Sequence, residues 1–202
     1  MKHYYNPMSR AVTTDWMLKE LGIEHQQITI DLTSNTAELQ QLRDINPMGK
    51  LPTLVDGETV VTEVAAICAY LADKYPEKHL APAINSAHRA SYYRYLFIAG
   101  NTIEPALTLA ASDMNHPNPT TAGWGDLTRV IATIETMTPI TGWALGEQFT
   151  AADIVFGGLL DSSVMFGILE ASPKVAAYVG RLRQRPAYLE THQTFIDIVG
   201  QN

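Results

Sequence analysis

Hydrophobic and polar positions along the first part of the chain switch repeatedly between a two-residue and a helical period. Tyr4 and Tyr5 favour extended structure, so residues 1–5 predict a short strand. Pro7 stops it and biases Asn6 away from helical angles. A helix follows over residues 10–21, and Gly22 suits the left-handed position that ends one. Gln27-Ile28-Thr29-Ile30-Asp31 alternates and predicts a second strand, with a short helix over 36–43. Two apolar runs, 50–55 and 59–61, flank Asp56-Gly57 and predict a hairpin. A helix then opens at Thr62 or Glu63 and ends near Tyr75-Pro76. The order is β-α-β-α-β-β-α, a small mixed sheet whose faces need helices to bury them.

After Pro82 the pattern becomes helical. One long helix is expected over 85–111, a loop over 113–123 around Pro117, Pro119 and Gly123, and helices over 124–137, 151–164, 173–183 and 186–199. The expected organisation is an α/β domain at 1–80 and an all-α domain at 85–202. Within the latter, Phe149-Thr150-Ala151-Ala152-Asp153 precedes an apolar run and reads as a capping box, with Thr150 as cap and Asp153 reaching back to it. That is a structural signal and needs no ligand.

Composition narrows the function classes. Hydrophobic residues make up 46% of the 202 and charged residues 17%, which is a globular balance. A formal net charge of −7 argues against a nucleic-acid partner. The single cysteine, Cys68, excludes an intrachain disulfide framework. It is flanked by Ile67 and Ala69 and reads as a buried small hydrophobe. Neither a signal-peptide run at the start nor an apolar stretch long enough to cross a membrane is visible, and a cytoplasmic location is expected. His3, His25, His79, His88, His116 and His192 lack compact ligand spacing, so no metal is expected.

Four segments together resemble the soluble glutathione S-transferases: YYNPMSRAV, INPMGKLPTLVDGETVVTEVAAICAYLADKYP, GEQFTAADIVFG and RLRQRPAY. The resemblance covers nearly the whole chain. It implies a thioredoxin-like N-terminal domain joined to a helical C-terminal domain, usually as a homodimer. Glutathione would be the co-substrate, conjugated to small hydrophobic electrophiles in a detoxifying reaction. Peroxidase or isomerase chemistry, or a non-catalytic glutathione-binding or protein-interaction module, are the alternatives on the same scaffold.

The resemblance also assigns candidate residues. Pro52 would be cis, turning Leu51 so that its backbone pairs with the cysteinyl part of glutathione. Glu63 would meet the γ-glutamyl ammonium and the Val64 N–H its carboxylate, at a helix start suited to anions. Members of the family commonly have serine where Val64 stands, so one hydroxyl donor is absent here. Lys50, which precedes the Leu-Pro pair, is either a partner for the glycyl carboxylate or a solvated surface lysine. For the thiol, the Asn6-Pro7-Met8-Ser9 turn resembles the His-Pro-Ala-Ser turn of the plant phi class and points to Ser9. Alignment to theta-type members points to Asn6, and Arg10 falls where beta-type bacterial members carry cysteine. Tyr4 and Tyr5 are further hydroxyl donors, though both lie in the expected strand. No cysteine occupies any of these positions, which disfavours a cysteine-dependent reductase. Met8, Tyr92, Leu96 and Met114 are candidates for the electrophile side, each equally at home in a core.

Overall fold

In the computed structural model, which describes residues 1–34 and 36–199, the first half of the chain forms a four-stranded sheet in the order β2-β1-β3-β4. Strand β1 (Lys2–Tyr5) is central and runs parallel to β2 (Gln26–Thr29) and antiparallel to β3 (Thr53–Asp56), which pairs antiparallel with β4 (Thr59–Thr62). The parallel pair requires a crossover, supplied by helix α1 (Ala11–Leu21). Gly22 ends α1 at φ +66°, with its N–H on the Leu18 and Lys19 carbonyls, as the sequence predicts. Helix α2 (Ala37–Ile45) is capped by Thr36 Oγ1, which accepts from the Leu39 N–H at 3.2 Å. Helix α3 (Val64–Lys74) closes the β-α-β-α-β-β-α order.

Leu39 and Leu42 of α2 pack with Tyr4, Tyr5, Ala11, Val12, Ile30 and Leu51 in one apolar cluster. Trp16, Met17, Leu18 and Leu21 of α1 and Ile67, Cys68 and Leu71 of α3 are fully buried. Burial of each large aliphatic or aromatic side chain contributes about 1.5–3 kcal/mol.

By packing, the chain divides into two units: residues 1–78 with 185–202, and residues 79–184. The last helix, α9 (Pro186–Val199), was grouped by chain order with the helical domain at 85–202, whereas it packs with the first unit. Its anchor is specific. Arg185 Nε and Nη2 donate to the two Glu20 oxygens at 2.6 and 2.7 Å, and Trp16 meets the Tyr188 ring edge-on at 5.3 Å. Nothing in the order of residues along the chain announces a partner 165 positions away.

The second unit comprises α4 (His88–Ile98), α5 (Glu104–Ala111), α6 (Leu127–Met137), α7 (Gly158–Met165) and α8 (Pro173–Leu182). The single helix expected over 85–111 is interrupted by a wide turn at Ala99–Ile103, where the Glu104 N–H reaches back to the Ala99 carbonyl. Pro105 explains it: a proline ring collides with the carbonyl four residues earlier and brings no N–H, so the helix widens. Helix α6 begins at Leu127 rather than 124, because Asp126 caps it by accepting from the Arg129 N–H at 2.9 Å.

The capping box is present and extends further than the sequence suggests. Asp153 Oδ2 accepts from the Thr150 N–H at 2.9 Å, and Thr150 Oγ1 accepts from the Ala152 N–H at 3.3 Å. Asp153 Oδ1 also accepts from the Ala144 N–H (2.6 Å) and the Tyr178 hydroxyl (2.8 Å). Burial raises this carboxyl's pKa while those donors oppose the rise. Replacing Asp153 by alanine removes the shared acceptor from two backbone N–H groups and two hydroxyls. Urea unfolding of Asp153→Ala is expected to show a loss of roughly 3 kcal/mol or more; a loss under about 1 kcal/mol would contradict this role for the carboxylate.

Candidate functional site

The turn after β1 is built on Asn6. Its Nδ2 donates to the Ile30 carbonyl at 2.8 Å and its Oδ1 accepts from the Met8 N–H at 2.8 Å. Asn6 thereby ties the exit of β1 to the segment after β2, and its side chain is occupied at both ends. The Asn6 carbonyl accepts from both the Ser9 N–H (3.0 Å) and the Ser9 hydroxyl (2.8 Å). Ser9 Oγ in turn accepts from the Ala11 N–H at 3.2 Å, so it caps the start of α1. A hydroxyl proton rotates freely about its C–O bond. If it turned away, the Asn6 carbonyl would still hold the Ser9 N–H, so donation elsewhere would leave no orphaned acceptor.

Tyr4 and Tyr5 are 6% and 7% exposed and belong to the core cluster. Burial first, and the Asp15 carboxylate second, push the Tyr5 phenol up to about 12. Arg10 is exposed beside Ser9. Partial desolvation lowers its pKa and the Glu63 carboxylate raises it, so the two charges lie within electrostatic reach. Helices α1 and α3 pack against one another in the first unit, a relation that sequence reading missed.

Glu63 has φ +69° and ψ 127°, a backbone region that costs a residue with a side chain about 1–3 kcal/mol. Its side chain is exposed and does not cap the helix, while its carbonyl accepts from the Ile67 N–H at 2.9 Å. The opening N–H groups of α3, from Val64 onward, thus lack a side-chain cap, and the dipole there favours an anion. Backbone strain kept at such a place is a feature of functional sites.

The loop before β3 is organised by Asn46, which is 5% exposed. Its Nδ2 donates to the Lys50 carbonyl (2.9 Å) and to Thr53 Oγ1 (3.0 Å), and its Oδ1 accepts from the Met48 N–H (3.1 Å). Thr53 Oγ1 donates to the same Lys50 carbonyl at 3.1 Å. Gly49 makes the turn at φ +58°. The Leu51–Pro52 peptide is cis, as the resemblance implies. Leu51 is largely buried and Lys50 is exposed. Asn46 was legible only as a loop former; its asparagine-proline context was the one available signal.

The electrophile candidates separate by exposure. Tyr92 and Leu96 are 0% and 1% exposed and act as core residues of the second unit, with no surface to offer a ligand. Met8 and Met114 each expose about half their surface, 49% and 53%. Cys68 is fully buried, and burial pushes its thiol pKa up.

Residues 1–73 match the family described as glutathione S-transferase, N-terminal domain. Glutathione S-transferase GstA of Escherichia coli O157:H7 is 26% identical over 191 residues, spanning 92% of this chain and 94% of that protein. The bacterial GST BphK, solved as a ternary complex, superposes with a TM-score of 0.80 at 26% identity, covering 96% of this chain and 98% of the other. A sphingomonad glutathione S-transferase complexed with glutathione gives 0.78 at 28% identity, covering 96% and 98%.

Residues 1–73 carry the glutathione S-transferase N-terminal domain, and the chain is similar along nearly its whole length to soluble bacterial glutathione S-transferases.

The thioredoxin-like sheet followed by helices accords with that likeness, and none of the helices among the described residues is long and apolar enough to cross a membrane. The likeness also sharpens the view of Cys68. The chain carries its only thiol inside α3, not in the Asn6–Arg10 turn. A buried thiol with a raised pKa presents neither access nor thiolate. Ellman's reagent is expected to titrate no thiol in the native protein and one per chain in denaturant; a stoichiometric reaction under native conditions would show that α3 opens readily.

Proposed function

We propose that the chain is a glutathione transferase that stabilises the glutathione thiolate and passes it to small hydrophobic electrophiles. What supports this reading is the geometry of the first unit: the Ser9 hydroxyl at the start of α1, the uncapped start of α3 behind the strained Glu63, and the cis Leu51–Pro52 turn. One start offers a hydroxyl and a guanidinium; the other offers free N–H groups and a carboxylate.

In this reading the Leu51 backbone, set by the cis peptide, pairs with the cysteinyl residue of glutathione. Glu63 meets the γ-glutamyl ammonium and the Val64 N–H its carboxylate. Lys50 holds the glycyl carboxylate. Ser9 turns its hydroxyl from the Asn6 carbonyl to the sulfur, and Arg10 adds positive charge nearby. A free cysteine thiol titrates near 8.5, so about one unit of stabilisation, or roughly 1.4 kcal/mol, raises the thiolate fraction near neutral pH almost tenfold. Electrostatic preorganisation of this kind acts on the reacting atom without itself changing protonation. On the first unit, exposed Met8 beside the Ser9 turn offers an apolar surface to the electrophile. A cytoplasmic homodimer is the setting the family implies.

A second reading has a specific observation behind it. Ser9's proton is already engaged by the Asn6 carbonyl, and valine stands after Glu63, which suits a chain that binds glutathione without activating it. Turnover of an aryl halide and the thiol pKa of bound glutathione separate the two. Ser9→Ala is expected to lower kcat/KM about 10- to 100-fold and return the thiol pKa toward its free value. Glu63→Ala is expected to weaken glutathione binding about tenfold with the turn intact. A wild-type complex whose thiol pKa is unshifted would favour the binding reading, and no affinity at millimolar glutathione would end both. Intact turnover in Ser9→Ala, with loss in Arg10→Ala, would move the activating role to Arg10.

A further inference from the structure

The histidines that lack ligand spacing along the chain are brought together by the crossover. His3 lies on β1, Asp15 on α1, and His25 immediately before β2. One ligand atom from each lies within 4.8 Å of the others, with His3 Nδ1 4.0 Å and His25 Nε2 3.5 Å from Asp15 Oδ1. His3 is 0% exposed and Asp15 6%. The His25 side chain is 8% exposed.

The hydrogen bonds around this cluster fix which atoms face inward. Thr14 Oγ1 donates to the Ala11 carbonyl at 3.0 Å, so towards His3 it acts as acceptor, and His3 Nε2 at 2.8 Å must carry the proton. His3 Nδ1 is then a bare lone pair. A carbonyl only accepts, so His25 Nδ1, 3.1 Å from the Ile23 oxygen, carries its ring's proton and leaves Nε2 facing Asp15. His3 Nδ1 and Asp15 Oδ1 are buried without a hydrogen-bond partner. Three electron-pair donors therefore converge, with the second nitrogen of each imidazole oriented by a fixed bond, as metal-binding histidines usually are.

A second proton on His25 satisfies Asp15 but leaves His3 Nδ1 orphaned, at a cost of about 1–3 kcal/mol. A cation between the three satisfies all of them. Two imidazole nitrogens and a carboxylate oxygen suit zinc, whose bonds of about 2.0–2.2 Å place tetrahedral ligands roughly 3.3–3.6 Å apart. One of the two separations from Asp15 already has that length and the other closes by about half an ångström. The acid–imidazole set is borderline in softness and disfavours calcium or magnesium, which take oxygen ligands.

We propose that His3, Asp15 and His25 form a site for a zinc-class divalent cation that pins β1, α1 and the start of β2 together. It lies toward the opposite end of the parallel strand pair from the Asn6 turn, which joins Ile30 beyond β2, and its role is structural.

The test uses untagged full-length protein, stripped with chelator and titrated with zinc alone in a calorimeter, with cobalt absorption as a report of tetrahedral geometry. One zinc per chain and a zinc-dependent rise in Tm are expected. Asp15→Asn and His25→Asn should each weaken zinc binding by at least about tenfold, while His88→Asn, at an exposed position, leaves it unchanged. Should Asp15→Asn fail to fold, His25→Asn at the cluster's edge decides alone. Absence of stoichiometric binding, or binding unaffected by His25→Asn, overturns the proposal.

Discussion

Everything at the functional end of the first unit hangs on the Asn6 amide. A strand that leaves the middle of a sheet exposes backbone groups at its exit, and these must find partners. Asn6 meets the need by donating to Ile30 and accepting from Met8, so the exits of β1 and β2 are tied by one side chain. The same bond aims the Asn6 carbonyl at Ser9 and so sets the first turn of α1. Asn46 repeats the device before β3, joining Met48, Lys50 and Thr53. Short amide side chains mimic backbone and therefore shape turns without a long stem to order. The chemistry that the turn can offer, a hydroxyl and a guanidinium, follows from this scaffold and does not build it.

In the proposed reading this distinction gives Asn6 a supporting part. As an amide it has the donors that a thiolate needs, and alignment alone leaves it level with Ser9. Its position between two fixed partners makes it the support and Ser9 the adjustable group. Ser9 has the opposite profile: its oxygen is anchored by the Ala11 N–H, while its proton rests on a carbonyl that has a second donor. A group that can change partner at little cost, next to one that cannot, is the arrangement preorganised sites employ.

Local physics was legible in the sequence. The Asp56-Gly57 hairpin, the Gly22 helix end and the Thr150–Asp153 box each depend on a few neighbouring residues, and each is present. What was not legible depends on topology or on distant pairing. Helix α9 joins the first unit through Arg185 and Glu20, which no periodicity connects. The wide turn at Ala99–Ile103 follows from Pro105, whose effect falls on carbonyls four residues earlier. Tyr92 and Leu96 share residue types with ligand-lining positions, and only burial assigns them to the core. The Asp153 acceptor was half legible: its cap partner is three residues away, whereas Tyr178 is 25 residues away.

The histidines illustrate the same limit from the other side. Spacing rules for metal ligands assume that chemistry is concentrated in one turn or helix, where i and i+4 share a face. A parallel strand pair obeys a different geometry. Its crossover brings residue 3 beside residue 27 in register, and the intervening helix lays its inner face over both. Residues 3, 15 and 25, about ten apart along the chain, then become neighbours through pairing alone. The crossover that fixes the Asn6 turn at one end of the strands thus gathers polar groups at the other. Burying three electron-pair donors together without a cation is unfavourable in a low-dielectric interior. In the proposed site a divalent cation satisfies these donors at once and so stabilises the strand pair from which the Asn6 turn projects.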